Sequence, residues 1–379
     1  MKVCWIGFLG KNHSWSIVGQ NISREMIRRG IGVDLFSTNG TSHFPEDLRA
    51  NLRGSMEEGT TLSEQEFDKK LLDVGIGKAY DLAISYTAPK NFRPYLSRST
   101  GRRFGIWCYE WERFPEGFAR GHVYASLILA PSEFAKKLWI DNGVPKEKVI
   151  VLPHGINLDD FAVPAMDLGS KKKKILVNIG QPHLRKNIKG MLDAYGKAFS
   201  KNDNVILIAK IAKKEFSKLS QFEVHVPSLF EDFYKTYPQH AQVKLISEFL
   251  PNMAGLYNAC DIVFTMSYSE GFYLPGLEAL AAGKINVCPR YGGQLDFLND
   301  DNAVLLDGKM IRADVKMQYW SGHPQNSCFS ADAASAAVKL RETVENYEKM
   351  HAKFLPKMQE KLPEYSWSRV VDQILDKCK

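Results

Sequence analysis

No stretch of this 379-residue sequence approaches the ~20 consecutive apolar residues that a bilayer-spanning helix needs. Six cysteines are present, at 4, 108, 260, 288, 328 and 378, but none forms a CxxC pair and most sit in or beside apolar runs. That excludes a zinc ribbon or a small disulfide framework and reads as buried free thiols of a reducing compartment. No Asp-x-Asp follows an apolar run, which argues against a metal-bridged ligand, so no metal site is expected. No G-x-G-x-x-G follows the first apolar run, Val3–Phe8, which disfavours a nicotinamide-dependent dehydrogenase. Basic residues are not interleaved with aromatics as in nucleic-acid binders, so nucleic acid is not an expected partner. The first ten residues are apolar but short, with Lys11 straight after, and read as a buried strand rather than a signal peptide. The expected location is the cytoplasm, with peripheral contact at the inner membrane face left open.

What remains has ordinary globular composition, and its length suits two domains of roughly 150–200 residues. The net charge of +7 is uneven: residues 1–170 carry 21 basic against 20 acidic residues, residues 171–379 carry 29 against 23. A basic second half suits an anionic small ligand, although a solvated surface explains much of it.

Short apolar runs alternate with helical patterns. In the first half Val3–Phe8, Val33–Phe36, Leu82–Tyr86, Arg103–Trp107, Leu127–Ala130 and Val149–Leu152 read as strands, with helices over Ile17–Arg29 and Glu133–Asp141. Ser132 is placed as the cap of the second helix, and Asn142-Gly143 as its stop. After Lys171–Lys174 the pattern restarts with Ile175–Ile179, Val205–Ala209, Val243–Leu245, Ile262–Phe264, Ile285–Val287 and Ala303–Leu306. Repeated strand–helix alternation implies two doubly wound parallel sheets, joined by a linker over Pro153–Lys174. Such sheets bind ligands at the carboxyl ends of their strands, so chemistry is sought just after strands.

The most informative segment is Glu270-Gly-Phe-Tyr-Leu-Pro-Gly-Leu-Glu278, directly after the strand Ile262–Phe264. Gly271 turns the chain, Pro275 suits the first position of a helix, and Gly283 ends it. Amides of that turn and helix start point together, which makes an anion site. Glu278 is placed in the first turn, where it either complements the helix dipole or accepts hydrogen bonds from ribose hydroxyls. Arg185 and Lys186 lie in a second loop, Asn178-Ile-Gly180-Gln-Pro-His-Leu-Arg-Lys-Asn-Ile188, and can give charge-assisted hydrogen bonds to a diphosphate. His183 reads as loop packing.

The Glu270–Glu278 run, continued by Ala-Leu-Ala-Ala-Gly283 and flanked by Leu256-Tyr-Asn-Ala-Cys-Asp261 and Tyr291-Gly-Gly293, resembles the retaining glycosyltransferases of family 4, glycosyl transferases group 1. The resemblance implies the α/β GT-B fold, two Rossmann-like domains facing across a cleft. The expected boundaries are an acceptor domain over 1–165, joined by the C-terminal helix near 362–379, and a donor domain over 172–361. The resemblance also implies a metal-independent hexosyl transfer from a UDP- or GDP-sugar to a glycan, lipid-linked or other hydroxyl acceptor. Such a reaction belongs to polysaccharide or glycoconjugate biosynthesis. Glu278 would bind the donor ribose and Glu270 the donor sugar, with amides near Gly271, Phe272, Tyr273 and Leu274 facing sugar and phosphate. Arg185 and Lys186 would hold the leaving pyrophosphate, with Gly180 in their loop, and Phe249 in Ile246-Ser-Glu-Phe-Leu-Pro251 would border the base.

The first half departs from the family. Its loop Gly7-Phe-Leu-Gly-Lys-Asn-His-Ser-Trp15 lacks the doubled glycine, and Trp107-Cys-Tyr-Glu-Trp-Glu-Arg-Phe-Pro115 stands where members place a histidine. Glu110 and Glu112 are therefore candidates for an acceptor-side base or sugar contact, the alternative being salt bridges to Arg113 or Arg120. A cluster of Arg93, Arg98, Arg102 and Arg103 would suit an anionic or lipid-linked acceptor, or is a solvated loop. Two other readings stay open: a nucleotide-sugar epimerase or hydrolase of the same fold, and a catalytically silent sugar-binding relative.

Overall fold

The structure is a computed structural model that describes residues 1–10, 13–57, 60, 62–77, 79–211, 224–248, 250 and 252–378. The chain divides into two compact units. The first comprises Met1–Tyr109, Arg113–Gly155 and Tyr365–Lys379; the second comprises Glu110–Glu112 and Ile156–Glu364.

In the first unit seven strands run in the order β3-β2-β1-β4-β5-β6-β7, all parallel. They are β1 (Lys2–Gly7), β2 (Gly32–Ser37), β3 (Leu52–Ser55), β4 (Leu82–Tyr86), β5 (Arg102–Ile106), β6 (Leu127–Ala130) and β7 (Val149–Val151). All but β3 match expected strands to within about two residues. Helices α1 (Ser14–Arg28), α2 (Glu64–Asp73), α3 (Phe92–Leu96) and α4 (Glu133–Asp141) connect them. Ser132 caps α4 by accepting from the Ala135 amide, as its spacing predicts.

The C-terminal helix α12 (Trp367–Asp376) completes this unit. Its residues Trp367, Val370, Val371 and Ile374 share one helical face and are buried in the core that holds Trp5, Ile22 and Met26, with Leu375 packed against it. Ser366 caps it by accepting from the Arg369 amide. Arg29 ties it to α1 through Asp372 at 2.5 Å and the Ser368 carbonyl at 2.8 Å. Gly155 lies against the Trp367 ring, where a Cβ atom would sit 2.5 Å from Cδ2. Gly155→Ala is therefore expected to cost about 1–3 kcal/mol by overpacking, read by urea denaturation; a change below about 0.5 kcal/mol would mean that the indole gives way freely.

The second unit repeats the design with six parallel strands in the order β10-β9-β8-β11-β12-β13. These are β8 (Lys173–Gly180), β9 (Val205–Ile211), β10 (Gln242–Ile246), β11 (Ile262–Phe264), β12 (Ile285–Pro289) and β13 (Ala303–Leu306). Every residue of β9 is buried, as a strand covered on both faces requires. Around the sheet lie α5 (Ile188–Ala198), α6 (Val226–Thr236), α7 (Ala254–Ala259), α8 (Leu274–Ala281), α10 (Ala333–Glu345) and α11 (Tyr347–Lys361). An antiparallel pair, β14 (Gly308–Arg312) and β15 (Ser327–Ala331), encloses α9 (Val315–Ser321). Neither strand of that pair was expected, because β14 is polar and exposed along most of its length.

All six cysteines are free thiols, four of them buried. Among the described residues no helix is long and apolar enough to cross a membrane.

Candidate functional site

A parallel sheet opens a crevice at its carboxyl edge where the strand order reverses. In the second unit that point lies between β8 and β11, so the two loops leaving these strands define the site. One carries Arg185 and Lys186, the other Glu270; the sequence placed both on strand exits, and the fold makes those two exits neighbours.

The loop after β8 is shaped by two left-handed residues, Gly180 at φ 57° and Asn187 at φ 49°. Asn187 caps α5 by accepting from the Gly190 amide at 3.1 Å and donates to the Met266 carbonyl, also at 3.1 Å. The Tyr268 amide donates to the Arg185 carbonyl at 2.9 Å. The two strand-exit loops are thus stitched together by backbone and by one amide side chain. His183 Nε2 meets Gln181 Oε1 at 3.1 Å.

The loop after β11 is fixed from below by the glycines of Tyr291-Gly-Gly293. The Gly293 amide donates to the Glu270 carbonyl at 2.8 Å. At Gly292, with φ 103°, a Cβ would lie 2.8 Å from that same oxygen, so a side chain there is excluded. Tyr273, just before α8, is left-handed at φ 73° although it has a side chain, a conformation costing about 1–2 kcal/mol. Its ring lies over Gly276, where a Cβ would come within 2.3 Å of the ring. Gly271, Phe272, Tyr273 and Leu274 are all buried, and the Phe272 ring packs on Phe297.

Because Tyr273 breaks the helix, α8 begins at Leu274 and Pro275 is its second residue, not its first. Glu278 therefore falls in the second turn, which corrects the expected first-turn placement and removes it from the dipole's strongest reach. Tyr257 of α7 donates to Glu278 Oε2 at 2.6 Å and accepts from Asn178 Nδ2 at 3.0 Å. Burial pushes the Glu278 carboxyl up to about 7, and the bond from Tyr257 offsets only part of that.

Glu270 has the opposite environment. Its carboxylate meets Arg185 Nη1 at 2.8 Å and Lys186 Nζ at 2.7 Å, and both Glu270 and Arg185 side chains are 7% exposed. Burial alone would raise this carboxyl, but the two cations outweigh it and hold it at about 2. Arg185 also donates to the Ser269 carbonyl at 2.7 Å and pairs through Nη2 with Glu110 Oε1 at 3.0 Å. Two carboxyls eight positions apart are thus driven in opposite directions, a pattern typical of functional sites.

Glu110 and Glu112 part company. Glu110 joins Arg185, while Glu112 acts on Tyr291, whose hydroxyl is raised first by burial and then by that charge. Phe249 lies outside the described residues, so the expected border of a base is untested there. In the first unit, the amides of Leu9 and Gly10 both donate to Asn39 Oδ1 at 2.9 Å and are taken up internally. Arg98 pairs with Asp68 at 2.8 Å, and Arg93 lies over the Tyr124 ring. His154 contacts the Tyr86 hydroxyl at 3.1 Å, and burial lowers it to about 3. Among the described residues no group of three His, Cys, Asp or Glu is arranged to hold a metal ion.

Tyr257, Asn178 and Ser269 escaped the sequence reading as site residues. The placement of Tyr257 in the flanking run Leu256–Asp261 and of Asn178 at the head of the Arg185 loop hinted at a role, but the bond from Tyr257 to Glu278 spans 21 positions and two helices.

The segment that carries Arg185, Lys186, Glu270 and Glu278 is also the one with a recognisable family. Residues 166–313 match the model of glycosyl transferases group 1. No curated protein matches the chain. Solved structures resemble it end to end. The Anabaena protein Alr3699/HepE in complex with UDP and glucose has a TM-score of 0.74 at 16% identity, over 100% of this chain and 99% of that one. A glycosyltransferase from Rickettsia africae ESF-5 gives 0.73 at 13%, over 100% and 98%. Sucrose-phosphate synthase from Thermosynechococcus elongatus gives 0.71 at 14%, over 99% and 98%. At these identities the likeness is one of fold, and the fold is GT-B.

Proposed function

We propose that this chain is a retaining glycosyltransferase that moves a sugar from a nucleotide-diphosphate sugar to a hydroxyl acceptor without a metal ion. The observation that carries the reading is the convergence of Arg185 and Lys186 on Glu270 at the point where the second sheet reverses its strand order. Breaking a sugar–phosphate bond leaves negative charge on the departing diphosphate. Arg185 and Lys186, with the amides ahead of α8, are placed to receive that charge at fixed positions, which is the largest help a site can give such a step. Glu270, ionised at any physiological pH, accepts hydrogen bonds from hydroxyls of the donor sugar. Glu278, oriented by Tyr257, takes the ribose. Retention follows if the acceptor hydroxyl attacks from the face that the diphosphate leaves, with the diphosphate oxygen accepting its proton.

The match of residues 166–313 supports the transferase class, and the complex of Alr3699/HepE with UDP makes UDP the first donor nucleotide to try. A thermal-shift panel of UDP, GDP, ADP and their sugars tests the reading, since a tight ligand adds several kcal/mol of apparent stability. Lys186→Ala and Glu278→Ala are each expected to weaken binding of the stabilising nucleotide roughly tenfold or more. Unchanged affinity in both variants would sink the site assignment. The anomeric configuration of the product, followed by NMR, tests retention.

A further inference from the structure

Both terminal nitrogens of Arg185 are engaged before any ligand arrives. Its Nη1 meets Glu270 at 2.8 Å and the Ser269 carbonyl at 2.7 Å, while its Nη2 is held by Glu110 at 3.0 Å. The two carboxylates are not equivalent. Glu270 keeps a second cation, Lys186 at 2.7 Å, whereas among the described residues Glu110 has an ion pair with Arg185 alone. The position of Glu110 is imposed by its surroundings: its carbonyl accepts from Ser269 Oγ, and Trp111 beside it is fully buried. The Glu110 carboxylate is thereby fastened across one edge of the guanidinium.

Two cations against two carboxylates leave this cluster with no net charge. A diphosphate entering it gains no net attraction from these four side chains and finds Nη2 of Arg185 occupied. Carboxylate and phosphate oxygens satisfy the same guanidinium fork, so one can replace the other without moving Arg185. We propose that Glu110 is a placeholder for a phosphate group. Its carboxylate holds Nη2 of Arg185 in the ligand-free protein and is displaced when the diphosphate binds. Glu110 then sets how tightly a diphosphate is held, rather than acting as the base or sugar contact that its sequence context suggested. Burial and the neighbouring Glu270 both disfavour the charged form of Glu110, and the Arg185 charge opposes them. Once a phosphate oxygen takes its place on Arg185, the carboxylate loses the charge that held it.

The proposal rests on the donor-site reading above, and its test separates the two. Binding of pyrophosphate, UDP and uridine to the full chain is measured by calorimetry for wild type, Glu110→Gln and Glu110→Asp. The glutamine variant removes the competing charge; the aspartate keeps it but draws it back by one methylene. Glu110→Gln is expected to bind pyrophosphate and UDP about tenfold more tightly, because a like charge near the phosphate is gone, with uridine unchanged. Glu110→Asp is expected to gain in the same direction by less, which keeps the test decisive should the glutamine variant fold poorly. If wild type binds both diphosphates and neither variant binds them more tightly, the placeholder role is overturned while the donor site stands. A fall in affinity for all three probes would make Glu110 a structural brace and overturn the role as well. If wild type binds neither pyrophosphate nor UDP, the donor-site reading itself fails.

Discussion

Replacing Arg185 with alanine is expected to remove about 3–5 kcal/mol of stability and to abolish measurable nucleotide diphosphate binding. The guanidinium is 7% exposed and joins Glu110, Glu270 and the Ser269 carbonyl. Its loss leaves buried Glu270 and largely buried Glu110 with one remaining cation, Lys186, which already belongs to Glu270. Removing one partner of a buried pair costs far more than the pair is worth, because the survivor is left charged in a poor solvent. Arg185→Lys does not repair this, since an ammonium cannot span three acceptors set around a planar fork. Combining Arg185→Ala with Glu110→Gln should recover part of the lost stability, as the variant glutamine no longer leaves a naked charge. A double-mutant cycle on thermal unfolding measures that coupling. A loss below about 1 kcal/mol for Arg185→Ala would mean that the cluster is solvated and that its charges act singly.

The same cluster marks how far the sequence could be read. Two doubly wound parallel sheets follow from the alternating apolar runs and helical patterns, which were plain because most of the parallel strands are buried. The pairing orders β3-β2-β1-β4-β5-β6-β7 and β10-β9-β8-β11-β12-β13 were not, because periodicity does not say which strands become neighbours. Position at a strand exit was equally plain for Arg185 and Glu270, since Phe264 and Ile179 end apolar runs just ahead of them. Contact between them was not, because 85 positions separate the pair and only the neighbouring of β8 and β11 closes that distance. The start of α8 was missed by one residue for a conformational reason. A tyrosine at φ 73° has no sequence signature, and it displaced Glu278 into the second turn. The strands β3 and β14 were invisible because neither burial nor alternation marks them; β15 is partly buried but short, and it pairs with β14.

Glu278 supplies the second large effect, a pH dependence of opposite sign to that of Glu270. Its carboxyl is pushed up to about 7 in the folded protein from an ordinary value of 4.5. Folding therefore favours the protonated form. That contribution is complete below about pH 4.5 and is lost as pH rises through 7, amounting to at most about 3 kcal/mol for a partly buried group. Glu270, held at about 2, contributes above pH 4.5 and loses its contribution only as pH falls through 2. Between pH 5 and 7.5 only Glu278 of these two changes state. Relative to Glu278→Gln, the ligand-free wild type is expected to lose stability steadily across that range, as followed by thermal unfolding. Binding should respond the other way. Ribose hydroxyls donate hydrogen bonds, so the ionised carboxylate is the better partner, and one oxygen is already taken by Tyr257. Affinity for UDP is expected to rise with pH through 7 in wild type more steeply than in Glu278→Gln, where titration of the nucleotide persists and cancels in the difference. Equal pH slopes for the two proteins would remove Glu278 from the ribose. A carboxylate that weakens the empty fold at neutral pH and strengthens the filled one is what a ligand-binding group, rather than a structural one, should be.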